Sequence, residues 1–272
     1  MAKSKKETKD EIREYFDDAS LPDFGVDARF FPSVGERLVE FAGIDAGMKV
    51  LDIAAGRGAS LFPAAEIIGM EGEIVGIDLA EGMVHATKEE IEIRGITNAS
   101  ILVMDAEQLE FENESFDAVL CGFALFFFPE LGVGMNEFIR VLEPGGVLAA
   151  TTFGRMNGPL HWYEPLFDKY GLTREIPGFE GLDYLDAIEM AYTNSGFRNI
   201  NSSSESFDAQ YIDEHDWWSH LLNTADRKPL ESLDNKQFDS LKTEAIQEIT
   251  KLKTEHGILV PYNVLLSMGE KP

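Results

Sequence analysis

The sequence predicts an open α/β fold: a seven-stranded sheet, mostly parallel with an antiparallel edge strand, with helices on both faces and helical cap insertions. Two observations carry most of this. Short apolar runs alternate with helical patterns through the first half of the chain, and strands alternating with helices imply parallel pairing with right-handed crossovers. The runs are also near-continuously apolar, as in strands covered on both faces. A third observation sets the cap: the second half turns amphipathic and helical, with only two late stretches that read as strands.

In chain order, residues 1–46 are helical in pattern and precede the first strand. Met48–Ile53 is a buried strand pattern, followed by a glycine turn and a helix over Ser60–Ile68. Glu73–Ile77 is the second strand, and Glu81–Arg94 a helix with Met83, Ala86, Ile91 and Ile93 as apolar members. Ser100–Met104, Phe116–Cys121 and Val147–Thr152 are the third to fifth strands. The helix Glu130–Leu142 is expected to stop at Pro144-Gly145-Gly146, since glycine supplies a left-handed cap and proline cannot continue a helix. Beyond it, His161–Tyr170, Asp183–Ser195, Asp213–Asn223 and Lys236–Glu255 read as helices. Ile200–Ala209 and Val264–Met268 read as two late strands in an edge hairpin, with helical insertions over the ligand end of the sheet. The division is an N-terminal segment 1–46, a core 47–154, and a C-terminal part 155–272 of the same domain.

Composition narrows the function classes. The 272 residues are 44% apolar, enough for one large core. Lys and Arg total 23 against 49 Asp and Glu, a net charge of −26. Such a surface repels phosphate backbones and anionic lipid heads, so no nucleic-acid partner and no stable membrane association are expected. The longest apolar run, Ala118–Phe128, is too short to span a bilayer and ends at Pro129. Lys3, Lys5, Lys6 and Lys9 are not followed by an apolar stretch, so no secretory signal is expected. Cys121 is the single cysteine, which excludes an intrachain disulfide or a cysteine zinc cluster and suits a reducing, cytoplasmic setting. Monomer and homodimer both remain open.

The chemistry concentrates in Val50-Leu51-Asp52-Ile53-Ala54-Ala55-Gly56-Arg57-Gly58. An acid ends a buried strand and two glycines follow at alternate positions. In an open α/β sheet ligands bind beyond the carboxyl ends of the strands, and glycine lets them approach the backbone. Asp78 closes the second strand, about 20 residues past Gly58, a spacing that suits an acid gripping both hydroxyls of an adenosine ribose. Asp105-Ala106-Glu107 follows the third strand, where a carboxylate can accept from an exocyclic adenine amine. Separately, each has a structural reading: a plain turn, a helix N-cap at Asp78, a solvated loop acid at Asp105. Together they place three acids on successive strand ends along one rim. As an exposed strand-end acid, Asp78 is expected to have few folding partners. The dinucleotide fingerprint G-x-G-x-x-G fits poorly, because counting from Gly56 its last position is Leu61 and counting from Ala54 it is Ala59. Asp52 would also repel a diphosphate, and it suits a ligand carrying a sulfonium or ammonium.

These residues resemble a known family. VLDIAAGRG, GIDLAEGMV, MDAEQLEFENESFDAVLCGFAL and RVLEPGG, between about Val50 and Val147, are similar to the class I S-adenosylmethionine-dependent methyltransferases, the group that includes the ubiquinone/menaquinone-biosynthesis C-methyltransferases and many small-molecule enzymes. Ala54 stands where the family usually has glycine. The resemblance implies a Rossmann-like sheet and S-adenosylmethionine as cofactor. It implies that Asp52, Ala54, Gly56 and Gly58 line the methionine and ribose part, and that Asp78 holds the ribose. Leu79 and Met83 would pack near the adenine, Asp105, Ala106 and Glu107 would border it, and Gly122 and Phe123 would face the methyl. It implies no metal. It also implies that residues 1–46, with Tyr15, Phe16, Phe24, Phe30 and Phe31, form a lid.

The implied reaction is in-line displacement of the methyl onto a small-molecule acceptor. A base is needed only for a phenol, alcohol or protonated amine. His161 and Tyr163, just after the fifth strand, are the candidates for catalytic residues. His215 and His220, flanking Trp217-Trp218, and His85 and His256 are weaker ones. Phe126, Phe127, Phe128, Trp162, Trp217 and Trp218 read as core, with some available as an apolar wall. The alternatives are a protein that binds S-adenosylmethionine for non-methylating chemistry and a nucleotide-linked oxidoreductase.

Overall fold

The fold is seen in a computed structural model, which describes residues 4–19, 30–155, 158–172, 181–222 and 227–272. Phe24 and Asn223 lie outside the described residues, as do parts of the expected 1–46 and 155–272 segments.

The sheet runs in the order β3-β2-β1-β4-β5-β8-β6, with the two-residue β7 paired to β8. Its strands are β1 Lys49–Ile53, β2 Glu73–Asp78, β3 Ala99–Val103, β4 Phe116–Gly122, β5 Leu142–Phe153, β6 Arg198–Tyr211, β7 Lys253–Thr254 and β8 Gly257–Glu270. The first five pair in parallel. β8 is antiparallel to both β5 and β6, so the antiparallel element lies next to the outermost strand. The chain builds outward from β1 through β2 to β3, then returns to lay β4 and β5 on the other side. The crossovers therefore diverge between β1 and β4, where Asp52 is paired with Leu120. A crevice opens at such a switch point.

The helices are α1 Lys5–Ala19, α2 Phe31–Phe41, α3 Leu61–Ile68, α4 Glu81–Arg94, α5 Leu131–Val141, α6 Tyr163–Lys169, α7 Leu185–Asn194, α8 Glu214–Leu221, α9 Arg227–Glu231 and α10 Asn235–Ile249. One core, around Leu38, Leu61 and Ile74, packs α2, α3 and α4 on one face of the sheet. Another, around Phe138, Val119 and Tyr192, packs α5 and α7 on the other. A third, around Trp217, Tyr163 and Leu241, joins α6, α8 and α10 to the distal halves of β6 and β8. This third core is the cap, and local capping organises it. Asp213 accepts from the backbone N–H groups of His215 and Asp216 to start α8. Asp234 and Gln237 form a reciprocal capping box that starts α10.

Three expectations are corrected. The helix expected to end at Pro144-Gly145-Gly146 ends at Val141, and Leu142 is already extended and paired with Phe116. The fully buried Leu142 is drawn into the core. The Pro-Gly-Gly stretch lies inside β5, tied to the C-terminus by Gly145 N–H to Lys271 O and Lys271 N–H to Gly146 O. The helix expected over Lys236–Glu255 stops at Ile249, because Lys253–Thr254 turns back to pair with β8. The two late strands are longer than expected, 14 residues each. The outer strand carries Ser, Asn and Glu on a largely solvated face, which hides its alternation.

Candidate active site

The rim of the crevice is built from the end of β1. Asp52 is buried, at 1% exposure. Beyond Ile53 the backbone turns through left-handed conformations at Ala54 (φ 52°), Gly56 (φ 51°) and Gly58 (φ 81°). At Gly58 a Cβ would stand 2.5 Å from the Phe62 ring, so a side chain there meets both strain and a clash. Ala54 adopts its positive φ with a side chain, and so does Phe123 (φ 53°) just after β4. Strained backbone thus flanks the switch point on both sides, a placement typical of ligand sites.

Asp78 organises the loop. Its Oδ2 accepts from Gly56 N–H at 2.9 Å and its Oδ1 from Ala80 N–H at 2.9 Å. Thr87 Oγ1 donates to Gly56 O at 2.6 Å, which holds the same glycine from α4. The expectation of an exposed acid with few folding partners is corrected: Asp78 is buried and fixes two backbone donors. Burial pushes its carboxyl above the ordinary range, opposed by the N–H groups of Ala80, Gly56 and Leu79.

Asp52 is the less compensated acid. Leu61 donates a backbone hydrogen bond to it, while Oδ2 has no hydrogen-bond partner. Burial first, and then the neighbouring Asp78, push its carboxyl up to about 8. An isolated buried carboxylate is costly unless a positive charge joins it.

The third acid is engaged from the N-terminal helix. Lys9 Nζ lies 2.6 Å from Asp105 Oδ2 and 2.6 Å from Glu107 Oε2. Burial works to lower Lys9, but the hydrogen bonds from Asp105 and Glu107 outweigh it and hold the ammonium above its ordinary value. Asp105 Oδ1 accepts from Glu107 N–H, and Glu107 Oε1 accepts from Glu130 N–H just before α5. Further along α1, Asp17 accepts from Gly82 N–H at 2.8 Å, in the first turn of α4. Phe16 packs on Ala80 and Met83 and meets Phe127 edge-on at 5.1 Å. Helix α1 therefore lies across the rim, secured at both ends.

Under it is a cavity of about 410 Å³ that runs from the β1 loop into the cap. Asp52, Ala54, Gly56, Asp78, Leu79 and Met83 line it, as do Asp105, Ala106, Gly122, Phe123 and Tyr163. Gly58, Glu107 and His161 are absent from its wall, as are His85, His215 and His256. Gly58 shapes the loop from behind. The Glu107 side chain ties α1 and α5 to the rim. His161 is exposed, with Nδ1 2.8 Å from Gly158 O, because α6 begins only at Tyr163 and leaves the preceding turn at the surface. Tyr163 is buried and stacks on Phe167 at 4.5 Å.

Sequence reasoning gave too little weight to the cap. Phe30, Phe153, Tyr211, Trp217, His220 and Tyr262 also line the cavity. A signal existed: Trp217, His220 and Leu221 stand at i, i+3 and i+4 and share one face of α8. Among the described residues no group of three His, Cys, Asp or Glu side chains is placed to hold a metal, and no helix is long and apolar enough to cross a membrane.

Crevice, glycine loop and buried acids lie together on a Rossmann-like fold. Residues 44–170 match the family model described as a methyltransferase domain. That segment is thus similar to known methyltransferase domains. Aklanonic acid methyltransferase DauC of Streptomyces sp. (strain C5) is 38% identical over 144 residues, 53% of this chain and 66% of its own length. Nocamycin O-methyltransferase of Saccharothrix syringae is 39% identical over 122 residues, 45% of this chain and 44% of its own. The chain thus spans about half to two thirds of the length of these relatives. In fold, it resembles the YcgJ protein of Bacillus subtilis, with a TM-score of 0.60, 19% identity, and coverage of 88% of this chain and 98% of that one.

Proposed function

We propose that the chain is an S-adenosylmethionine-dependent methyltransferase that transfers a methyl group to a small-molecule acceptor by in-line displacement. The observation that carries this is Asp52: a buried carboxyl group at the switch point, lining the cavity, with one oxygen unpartnered. A cationic adenosyl donor supplies what that oxygen lacks, whereas a dinucleotide diphosphate would add a like charge. The fit extends along the rim. Each Asp78 oxygen, besides the backbone N–H it already accepts, has a lone pair for a ribose hydroxyl. The glycine loop offers backbone without Cβ atoms, and Leu79 and Met83 offer an apolar bed for the base.

When bound, the donor supplies an activated methyl on sulfur, so the protein's task is placement. Asp52 offsets the donor's positive charge and Asp78 fixes the ribose. Gly122 and Phe123 border the transfer zone, and Phe123 is itself fixed by its N–H on Thr151 O at 3.0 Å. Alignment of this kind can supply on the order of 7–11 kcal/mol. Helix α1 and the cap exclude water from the line of attack. The acceptor would lie beyond Phe123, under α6 and α8, where aromatic side chains form the wall. The relatives named for aklanonic acid and nocamycin support a small-molecule acceptor, and the charge of −26 speaks against nucleic acid. The single buried cysteine fits a cytoplasmic setting.

Calorimetry with S-adenosylmethionine and with NADH tests the donor reading, with binding expected for the first alone. Appearance of S-adenosylhomocysteine in the presence of a methylated acceptor tests transfer. Binding of the donor with no product from any acceptor would refute methyl transfer.

A further inference from the structure

The charged side chains on the cavity wall all come from one end. Among the described residues they are Lys9 and Arg13 on α1, Asp52 and Arg57 at β1 and its loop, Asp78 on β2 and Asp105 after β3. The cap half of the wall has no Lys, Arg, Asp or Glu among the described residues. It carries Tyr163, Tyr211, Trp217, Leu221 and Tyr262 around a single histidine, His220. This histidine is half-buried in the last turn of α8, its ring centroid 5.4 Å from that of Tyr211. Towards the transfer zone the wall is flat and aromatic. Phe123 stacks on Phe153 at 4.4 Å, and Phe30 lies parallel to Phe153, with 7° between the planes at 6.0 Å.

Such a chamber selects by charge. Among the described residues it offers no cation for a carboxylate or phosphate and no carboxylate for an ammonium, and leaving either ion unpaired here would be costly. Flat aromatic walls favour a planar apolar molecule. A neutral hydroxyl is a poor nucleophile until its proton leaves, and imidazole is the side chain of this wall whose ring nitrogen can take a proton.

We propose that the acceptor is an uncharged planar compound bearing a phenolic or enolic hydroxyl, and that His220 is the catalytic residue that takes its proton. This rests on the methyl-transfer reading above. In the step, the hydroxyl proton passes to a ring nitrogen of His220 and a lone pair of the oxygen forms the new O–CH₃ bond. The C–S bond breaks with its electron pair going to sulfur, which leaves a neutral thioether. The imidazolium then returns its proton to solvent. His161, outside the cavity, takes no part.

The test uses full-length protein loaded with S-adenosylhomocysteine and three probes of one shape: 2-naphthol, 2-naphthoate and 2-(aminomethyl)naphthalene. Binding is read by quenching of tryptophan fluorescence, and methyl transfer to 2-naphthol is read separately with S-adenosylmethionine as 2-methoxynaphthalene by mass spectrometry. The wild type should bind 2-naphthol at least about tenfold more tightly than either charged probe. His220→Gln and His220→Asn should bind S-adenosylhomocysteine as the wild type does in calorimetry. They should lose transfer to 2-naphthol by about 100-fold or more, within the range for removal of a general base. Equal or tighter binding of a charged probe, absence of 2-naphthol binding, or wild-type transfer in both variants would overturn the proposal while leaving the donor site intact. Failure of S-adenosylhomocysteine to bind the wild type would instead overturn the methyl-transfer reading, and probe selectivity in the unloaded protein would still decide the acceptor class.

Discussion

Donor binding should expel a proton from Asp52. In the ligand-free protein its carboxyl is pushed up to about 8 by burial and by Asp78, so at pH 7 about 0.9 of the molecules hold it protonated. A cationic donor beside Oδ2 favours the carboxylate, so the proton leaves as the donor arrives. Calorimetric titrations of S-adenosylhomocysteine, whose ammonium carries the charge, in buffers of different ionisation enthalpy should therefore report release of about 0.9 proton per site at pH 7. Affinity should climb close to tenfold per pH unit below pH 7 and level off above about 8. Stability changes in the opposite sense. The folded-state value lies above the ordinary aspartate value of 3.8, so the contribution of this group is greatest below about pH 4 and is lost as pH rises through about 8. The difference in unfolding free energy between wild type and Asp52→Asn should fall by about 1.4 kcal/mol per pH unit across that window. Proton release near zero at pH 7, or a stability difference independent of pH, would mean that Asp52 is not held protonated in the ligand-free protein.

Other perturbations read separate parts of the site. Asp78→Ala strands the N–H groups of Gly56 and Ala80, at about 1–3 kcal/mol each, so the melting temperature should drop together with donor affinity; an unchanged melting temperature would mean that these two bonds do not hold the loop. Gly35→Ala places a Cβ 2.0 Å from the carbonyl oxygen of Ala59. Backbone cannot yield as a side-chain tip does, so a loss of about 1–3 kcal/mol or more is expected, measurable by urea unfolding, and a neutral result would contradict the contact of α2 with the donor loop. Lys9→Ala leaves Asp105 and Glu107 without their shared cation and should loosen α1. Protease cleavage within residues 5–19 and donor release in stopped-flow should both accelerate several-fold, and neither would change if α1 were merely resting on the rim.

The sheet was readable because β1, β2 and β4 are largely apolar and largely buried runs, followed at β1 by glycine. The acidic rim of the cavity was readable for the same reason: Asp52, Asp78 and Asp105 occupy or follow strand ends, and these ends line one cavity. What was hidden depended on contacts remote in sequence. Lys9 meets Asp105 across 96 positions, and nothing local marks either partner. The positive φ of Ala54 and Phe123 is carried by residues that do not advertise it. Asp78 looked like a solvated acid because its backbone donors come from a loop whose path was unknown. His220 was visible only as one histidine among five, until α8 and the β6 extension put it on the wall and left His161 outside.

On the proposed function, the acids on neighbouring strand ends form one adenosyl-donor site. A crystal structure of the protein with S-adenosylhomocysteine tests this most directly. The ribose hydroxyls are expected within hydrogen-bonding distance of the Asp78 carboxylate, with the amino-acid portion beside Asp52. A nucleoside bound elsewhere, or a crevice that stays empty at saturating ligand, would contradict it.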